Sequence, residues 1–330
     1  MLFMNIIQDI LDWLKGSSSK GPAPEPPGGK PDPVHRKVLM IIYNPPVPSQ
    51  NGRKLFNVLG WNDPDTLCNH YIQDLHSCSA GYTGYSVTER VEVDHFPVKQ
   101  DGFVYTADEY VACIQSNSGF HQPDMVDYQK ILDEFDIVQK VNLGAIDEVW
   151  MFAFPYAGFY ESRMVGPRAF FCNAPPLNSH QACTRRFIMM GFNVERGVGE
   201  MLEANNHRAE SIMDYVYQRY PQTENLWKRF IRYDKVAPGE AEVGSVHFAP
   251  NSQKDYDWGN PRTVTSRCDT WYNFPDLSGA SKMVNCSEWG NGDIRKHHVW
   301  WLEHFPRLKG TLGGVSCNWW SYVVDPNQAP

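Results

Sequence analysis

Two stretches of sequence decide the fold: residues 147–164, which read DEVWMFAFPYAGFYESRM, and residues 185–216, which read RRFIMMGFNVERGVGEMLEANNHRAESIMDYV. Each contains an apolar run, at 149–154 and 187–192, that is too short for a helix. Because every position of these runs is apolar, both faces of each strand should be covered, as in a parallel sheet. The sequence therefore predicts two central strands of an α/β sheet.

Polar residues follow the end of each predicted strand. Ligands bind beyond the carboxyl ends of strands in open α/β sheets, so we expect the functional site at this edge. Glu195 and Arg196 follow the second strand. The residues after the first strand are the larger group, and they are Tyr156, Tyr160, Glu161, Ser162 and Arg163.

The chain before these strands alternates between strand and helix patterns. An apolar run at 38–42 predicts a buried first strand, and alternation over 85–94 predicts a strand with one solvated face near the sheet edge. Helical spacing predicts helices over 63–78, 106–113 and 123–138. This order indicates a three-layer α/β fold, with a mostly parallel sheet and helices on both faces.

The two ends of the chain differ from this core. Residues 1–15 have the apolar spacing of an amphipathic helix, and residues 16–35 form a Pro/Gly/Ser-rich linker. We expect one α/β domain over 36–330, made of a core over 36–233 and an irregular, aromatic-rich C-terminal layer over 234–330. The N-terminal segment lacks the basic start of a signal peptide and is too short to span a bilayer.

Charge and cysteine content limit the partners. The formal net charge is -8, with no dense basic run, so nucleic acid is not an expected partner. None of the eight cysteines forms a CxxC pair, which removes support for a zinc ribbon. Cys172 with Cys183, and Cys268 with Cys286, each close a short loop and could form disulfides outside the cytosol.

One face of the helix over 198–216 carries the strongest candidate chemistry. Its members are Glu200, Glu203, His207, Glu210 and Asp214. They lie opposite an apolar stripe and could present several ligands to one divalent cation. The alternative is a solvated helix face without function. No HExxH motif is present, so the sequence does not indicate a common zinc protease.

Other chemistries use the same region. Glu161, Glu195 and Glu288 could frame a glycosidase cleft lined by Trp289, Trp319 and Trp320. Ser162 could serve as a nucleophile with His207 as its base, although the GxSxG elbow is missing. The bland alternatives are a surface role for each glutamate and core packing for each tryptophan.

Several sequence blocks resemble a known group of proteins. The blocks are DEVWMF, FYESRMVGP, GFNVERGVGEML with HRAE, VHFAPNSQKDYDW, CSEWG and NWWSYVVDPN. They are similar to blocks of a family of largely uncharacterised, often secreted bacterial and fungal proteins, over residues 37–327. The resemblance implies an extracellular or cell-surface setting and partial disulfide formation. It implies no particular activity.

The sequence therefore predicts a hydrolase acting on an extracellular glycan or peptide polymer, with a polysaccharide or glycoprotein as partner. The predicted catalytic residues are Glu161, Glu195, Glu200, His207 and Glu210. The predicted substrate-binding residues are Tyr156, Tyr160, Arg163, Arg208, Trp289, Trp319 and Trp320. The alternative function is a non-catalytic glycan-binding or cell-surface module, in which exposed tryptophans bind and the carboxylates are surface charge.

Overall fold

A computed structural model describes residues 28–179 and 181–330. The predicted N-terminal helix over 1–15 and most of the linker lie outside the described residues. The last part of the linker is not a free tether, because Gly28 and Gly29 exchange backbone hydrogen bonds with Lys309, at 3.0 and 3.1 Å. The first strand also begins earlier than predicted, at Val34.

Short loops connect the strands and helices of the described chain. The strands are β1 (Val34–Tyr43), β2 (Pro46–Val47), β3 (Arg53–Lys54), β4 (Thr83–Val93), β5 (Glu148–Ala153), β6 (Ser162–Val165), β7 (Phe187–Asn193), β8 (Val264–Ser266), β9 (Lys282–Val284), β10 (Arg307–Leu312) and β11 (Val315–Asn318). The helices are α1 (Leu55–Leu59), α2 (Pro64–Cys78), α3 (Ala107–Ser116), α4 (Tyr128–Glu134), α5 (Ile137–Asn142), α6 (Val198–Tyr217), α7 (Leu226–Phe230), α8 (Ile294–Glu303) and α9 (Trp320–Val324). Short 3₁₀ helices cover Pro48–Gln50, Cys268–Asn273, Cys286–Trp289 and Pro326–Gln328. None of the helices in the described ranges is long and apolar enough to cross a bilayer.

The central sheet has five strands in the order β4-β1-β5-β7-β6. The first four are parallel to one another, as the apolar runs predicted, and β4 lies at the predicted edge. The other edge strand, β6, pairs antiparallel with β7 and was not predicted. Glycine is required at position 191 of β7, since a Cβ there would lie 2.5 Å from the carbonyl oxygen of Tyr160. This close approach brings the chain around Glu161 against the centre of the sheet.

Helices cover both faces of the sheet, which confirms the predicted α/β class. On one face, the ring of Tyr71 in α2 lies 5.1 Å from Trp150 and 5.2 Å from Phe192. On the other face, Tyr43 contacts Phe135 at the end of α4, with ring centres 6.4 Å apart. Residues that alternate along β1, β5 and β7 therefore pack into two separate apolar layers.

The helix predicted over 123–138 is in fact two short helices, α4 and α5. The first begins at residue 128, because the Asp127 side chain accepts hydrogen bonds from the N–H groups of Gln129 and Lys130. The second begins after Asp136, whose φ of 50° is incompatible with a continuous right-handed helix. Periodicity was correct here, but the break was missed.

The C-terminal layer packs around an aromatic cluster. The Trp319 ring lies 5.5 Å from Phe230, 5.5 Å from Trp271 and 5.7 Å from Phe305. Tilted and edge-on ring pairs at these separations are favourable beyond the area they bury. The aromatic residues towards the end of the sequence thus extend the main hydrophobic core and contact the end of α6 through Trp319 and Tyr217.

A buried ion pair joins this helix to the sheet. Arg208 in α6 donates two hydrogen bonds to the Glu148 carboxylate in β5, at 2.6 and 2.8 Å, and both side chains are almost fully buried. The same carboxylate accepts from Trp150 Nε1 at 3.1 Å and Tyr85 Oη at 3.3 Å. Arg208 also donates to the Val323 carbonyl. Its predicted role in substrate binding is therefore wrong, because the guanidinium faces the sheet.

We predict that Arg208→Met lowers the free energy of unfolding by about 3–5 kcal/mol, because it leaves the Glu148 carboxylate buried without its charged partner. Urea unfolding measures the change. The double variant Glu148→Leu/Arg208→Met removes both charges and should recover much of the loss. Arg295→Met is the matched control, since Arg295 makes a bidentate but half-exposed pair with Asp74. That control should cost less than about 1 kcal/mol, and an equally small loss for Arg208→Met would contradict the assignment.

Candidate functional site

The polar face of α6 is covered rather than solvated. The side chains of Glu203, His207 and Glu210 are 9%, 20% and 24% exposed. The C-terminal layer contributes the cover through the loop that carries His247. Only the C-terminal end of this face is solvated, since Asp214 is exposed and pairs with Lys228. We expect charges in such a half-buried cluster to interact more strongly than surface charges.

Three ligand atoms converge between α6 and this loop. His207 Nε2 lies 3.0 Å from His247 Nε2, and His247 Nε2 lies 3.1 Å from Glu203 Oε1. The third side of the triangle, from His207 Nε2 to Glu203 Oε1, is 3.9 Å. Glu203 and His207 share one helix face because they are four residues apart.

The second nitrogen of each imidazole faces a carboxylate. His207 Nδ1 lies 3.0 Å from Glu210 Oε2, and His247 Nδ1 lies 3.0 Å from Asp255 Oδ1. An ionised carboxylate only accepts hydrogen bonds, so each Nδ1 donates and each neutral ring presents the Nε2 lone pair to the other. With both rings neutral, the three converging atoms are all electron-rich, and either a metal ion or a proton between them would balance the charge.

The dimensions and donor types fit a metal ion. Two ligands of a tetrahedral Zn²⁺ with bonds of roughly 2.0–2.1 Å lie about 3.3 Å apart, close to the mean of the three distances. Two histidines and one glutamate form a known ligand set of catalytic zinc sites with an open fourth position. Carboxylates on the outer histidine nitrogens are also typical of metal sites, where they fix the ring orientation.

Neighbouring groups favour positive charge in the cluster. Burial lowers the pKa of His207, but the hydrogen bond and charge of Glu210 outweigh burial and leave the pKa raised. For His247, the hydrogen bond to Glu203 is the main cause of a raised pKa. Burial acts to raise the pKa of Glu203, yet the hydrogen bond with His247 outweighs it and the pKa is lowered. Without a metal, a proton on the imidazoles supplies the positive charge.

Hydrogen bonds fix the loop that carries His247. Glu210 Oε1 accepts from the backbone N–H of Val246 at 3.0 Å, so one carboxylate holds both the helix histidine and the loop. Gly244 allows the turn, because it has φ +89° and a Cβ there would lie 2.1 Å from the Phe248 carbonyl oxygen. Trp301 Nε1 in α8 donates to the Gly244 carbonyl at 2.9 Å. The aromatic layer thus positions a ligand of the site.

Tyr256 lies at the open side of the cluster. Its hydroxyl donates to Glu203 Oε1 at 3.0 Å, its ring centre lies 4.3 Å from that of His247, and 52% of the residue is exposed. The backbone of Tyr256 has φ 56°, a conformation that is costly for a residue with a Cβ. Such outliers cluster at functional sites. Burial and the charge of Glu203 raise the pKa of Tyr256 to about 12, so the hydroxyl keeps its proton at neutral pH.

His298 lies on the closed side of the cluster. Its Nδ1 accepts from Asn206 Nδ2 at 3.2 Å, while its Nε2 is buried and has no hydrogen-bond partner. Burial lowers the pKa of His298 to about 3, so the ring is neutral. α8 approaches α6 closely at Gly199, where a Cβ would lie 2.6 Å from Ile294. A neutral imidazole therefore stands behind the ligands and excludes water from this side.

Two cavities lie in succession along the polar face of α6. Glu161 and Glu200 line the smaller one, of about 200 Å³, and His207 and Glu210 line the larger, of about 590 Å³. A hydrogen bond from Asn173 in the larger wall to Glu161 in the smaller wall joins them. Glu161 also interacts electrostatically with His207 and Tyr256. The structure therefore places His207 and Glu210 in contact, with Glu161 in the wall of the adjoining cavity.

The other predicted carboxylates have local roles. Glu200 lines the smaller cavity and accepts a hydrogen bond from the Gly197 N–H at 3.1 Å, which caps α6. Glu195 is exposed and bonds to Asn193 in the turn after β7. Glu288 pairs with Lys282 at 3.0 Å. None of the contacts of the described residues links Glu195 or Glu288 to His207.

Several predicted substrate contacts are wrong. Trp289, Trp319 and Trp320 are 1%, 0% and 1% exposed, so they pack the core and present no face to a sugar. The proposed nucleophile Ser162 is fully buried, and its hydroxyl donates to the Cys172 carbonyl at 3.3 Å. The sequence of a tryptophan-rich segment does not reveal which tryptophan side chains are buried and which are exposed.

The remaining predicted contacts stay near the surface. Tyr156 is 41% exposed and stacks on Phe120, with ring centres 3.7 Å apart. The Arg163 guanidinium lies over the rings of Tyr128 and Tyr160, at 4.7 and 5.7 Å. These groups follow β5 at the carboxyl edge of the sheet, and their role in substrate binding stays a prediction.

All eight cysteines are free thiols, so neither predicted disulfide is present. Cys172 is buried against Ser162, whose hydroxyl lies 3.7 Å from the sulfur, and Cys183 donates to the Arg185 carbonyl at 2.9 Å. Cys268 lies 3.6 Å from an Asp269 oxygen and Cys286 lies 3.5 Å from an Asn291 oxygen. Each sulfur has its own polar neighbour, and closeness in sequence did not place the pairs in contact.

Sequence reasoning missed His247, Asp255, Tyr256 and His298. The first three belong to the block VHFAPNSQKDYDW, whose histidine, aspartate and tyrosine in a weakly periodic segment were a usable signal. His298 lies in α8 and belongs to no motif or block that the sequence singles out. The interaction between Glu203 and His247 spans 44 residues, so helical projection could not detect it.

Comparisons with known proteins found no matching family model, no similar curated protein and no similar solved structure.

We predict that Trp289→Ala lowers the free energy of unfolding by about 3–5 kcal/mol, as expected for removal of a large buried ring. Thermal and urea unfolding measure this loss. The control is Tyr256→Phe, which removes an exposed hydroxyl and should change stability by less than about 1 kcal/mol. A stable Trp289 variant with weakened polysaccharide binding would instead restore the predicted sugar-stacking role.

Proposed function

We propose that this protein is a metal-dependent hydrolase that holds one divalent cation with Glu203, His207 and His247. The observation that carries the proposal is the convergence of His207 Nε2, His247 Nε2 and Glu203 Oε1, with a carboxylate on the outer nitrogen of each imidazole. A purely solvated helix face would not require two histidines, one on the helix and one on a loop, to be oriented towards one point.

The chemistry follows from the groups around that point. A cation bound there would lower the pKa of a bound water and polarise the bond to be broken. Glu161 is exposed in the cleft and is our candidate for the general base, which takes the proton of the attacking water and returns it to the leaving group. The Tyr256 hydroxyl is a hydrogen-bond donor for the negative charge that develops on the substrate oxygen.

The shape of the cleft supports a polymer as substrate. The two cavities together follow α6 from Glu200 to Gln218, and 18 helical rises correspond to roughly 27 Å. That length accommodates about eight residues of an extended peptide at 3.3 Å each, or a short run of sugar units. We infer an extracellular polysaccharide or glycoprotein, with the smaller and larger cavities on the two sides of the scissile bond.

A non-catalytic glycan-binding module is the second candidate. It needed exposed tryptophans, and Trp289, Trp319 and Trp320 are buried. The exposed aromatic residues near the cleft are Tyr256 and Phe171, with Phe171 59% exposed and lining the larger cavity. One or two rings can hold a sugar, but such a module has no use for the oriented histidine pair.

We expect Zn²⁺ titration by calorimetry to detect a site that His247→Ala removes. Asp255→Asn should weaken Zn²⁺ binding at this site by about 10–100-fold, because it removes only the outer partner of His247. His121→Ala is the matched control: His121 is similarly half-buried and pairs with Asp101 at 2.7 Å in the same way, but it lies outside the residues that line the cleft. Equal Zn²⁺ binding by the wild type and His247→Ala would refute the metal site.

Turnover is tested separately on metal-loaded protein. Release of reducing ends from polysaccharides and of amines from proteins should require the metal, stop with EDTA and return when Zn²⁺ is restored. Glu161→Gln should lower kcat by about 100-fold or more while Zn²⁺ binding is retained. Metal binding and polymer binding without turnover across a broad panel would favour the glycan-binding module.

A further inference from the structure

A second group of ligand-type side chains lies in the C-terminal layer. Cys268 Sγ, Asp269 Oδ1 and His304 Nε2 all lie within 4.8 Å of one another. The sulfur and the imidazole nitrogen are 3.6 Å and 3.6 Å from the same Asp269 oxygen. Cys268 and His304 are buried, whereas the Asp269 side chain is 49% exposed. The group is therefore closed on two sides and accessible from solvent on the third.

The His304 ring has one nitrogen without a hydrogen-bond partner. Its Nδ1 donates to the Trp300 carbonyl at 2.7 Å, which leaves a lone pair on Nε2. Nε2 has no hydrogen-bond partner, and it cannot bond to solvent because the side chain is only 1% exposed. A buried nitrogen without a hydrogen-bond partner is destabilising. The nearest charged atom is Asp269 Oδ1 at 3.6 Å, which would form an ion pair with a protonated ring but gives a neutral ring no hydrogen bond.

Lys282 supplies a cation at the outer side of the group. Its Nζ lies 3.0 Å from Asp269 Oδ1 and 3.0 Å from Glu288 Oε2. The Lys282 side chain is 34% exposed, so it can move into solvent without crossing the core. Its ammonium cannot bond to the His304 lone pair and Asp269 at once unless it moves inwards. Lys282 thus balances the carboxylates but leaves the imidazole unpaired.

We propose that Cys268, Asp269 and His304 form a second metal site, which binds a thiophilic divalent cation such as Zn²⁺ and displaces Lys282 from Asp269. Thiolate, imidazole and carboxylate are all ligands of Zn²⁺, and a thiolate in the set discriminates against Mg²⁺ and Ca²⁺. On binding, the Cys268 S–H bond breaks, its proton passes to solvent and the sulfur–metal bond forms, with no change in oxidation state.

The site would join two segments of the C-terminal layer and lie beside a third. Cys268 and Asp269 begin the 3₁₀ helix Cys268–Asn273, His304 directly follows α8, and Lys282 begins β9. A cation here crosslinks α8 to the 3₁₀ helix beside the aromatic cluster. Its role is structural, in contrast to the open set of Glu203, His207 and His247, and it does not depend on the function proposed for that set.

Co²⁺ titration of the chelator-treated, reduced full chain tests the proposal. Thiolate ligation of Co²⁺ gives an intense ligand-to-metal charge-transfer band in the near ultraviolet, which a site of only nitrogen and oxygen ligands cannot produce. We expect this band in the wild type and in His247→Ala, and its loss in Cys268→Ser. Cys286→Ser is the matched control, since Cys286 is also buried in the same layer, and it should keep the band.

A second variant covers the case in which Cys268→Ser fails to fold. Lys282→Met removes the competing ammonium. It should lower the dissociation constant for Co²⁺, measured from the thiolate band, by tenfold or more, and the dissociation constant for Zn²⁺, measured by displacement of Co²⁺, by a similar factor. Absence of the band in wild type and Lys282→Met would overturn the proposal. A band lost in Cys286→Ser but kept in Cys268→Ser would also overturn it, because the metal would then be bound by another cysteine.

Discussion

The ion pair between Glu148 and Arg208 is the constraint on which the rest of the structure depends. It fixes the rotation of α6 on the sheet, because the guanidinium reaches both carboxylate oxygens at once. With Arg208 held inwards, His207 at the preceding position faces His247 in the C-terminal layer. Since two buried charges tolerate little misalignment, the geometry of the site is set by a contact that takes no part in its chemistry.

Sequence alone was sufficient for the parts of the fold that rest on local patterns. Continuous apolar runs identified β1, β5 and β7, and helical spacing identified α6 with the acidic face that carries Glu203, His207 and Glu210. The same reasoning failed where a distant contact decides. Arg208 was predicted to bind substrate, because its true partner, Glu148, lies 60 residues earlier in the chain. The break at Asp136 likewise depends on a backbone conformation that spacing does not encode.

The tryptophans also show that the sequence did not reveal which side chains are buried. Their number indicated an aromatic layer, and the layer exists, but its residues face inwards and support the loop with His247 through Trp301. An aromatic residue at a surface and one in a core look alike in a sequence without clear periodicity. The tryptophans contribute to the candidate site by holding the loop with His247 against α6.

The division of the ligand set between α6 and the loop at His247 has a consequence for biosynthesis. Glu203 and His247 are 44 positions apart, and Asp255 follows still later. At about 5–20 residues per second, the ribosome takes several seconds to make the remainder after the helix has emerged. The aromatic layer must then collapse before the loop can dock. If Glu203, His207 and His247 bind a metal as proposed, a nascent or truncated chain without this layer would lack one of the three ligands.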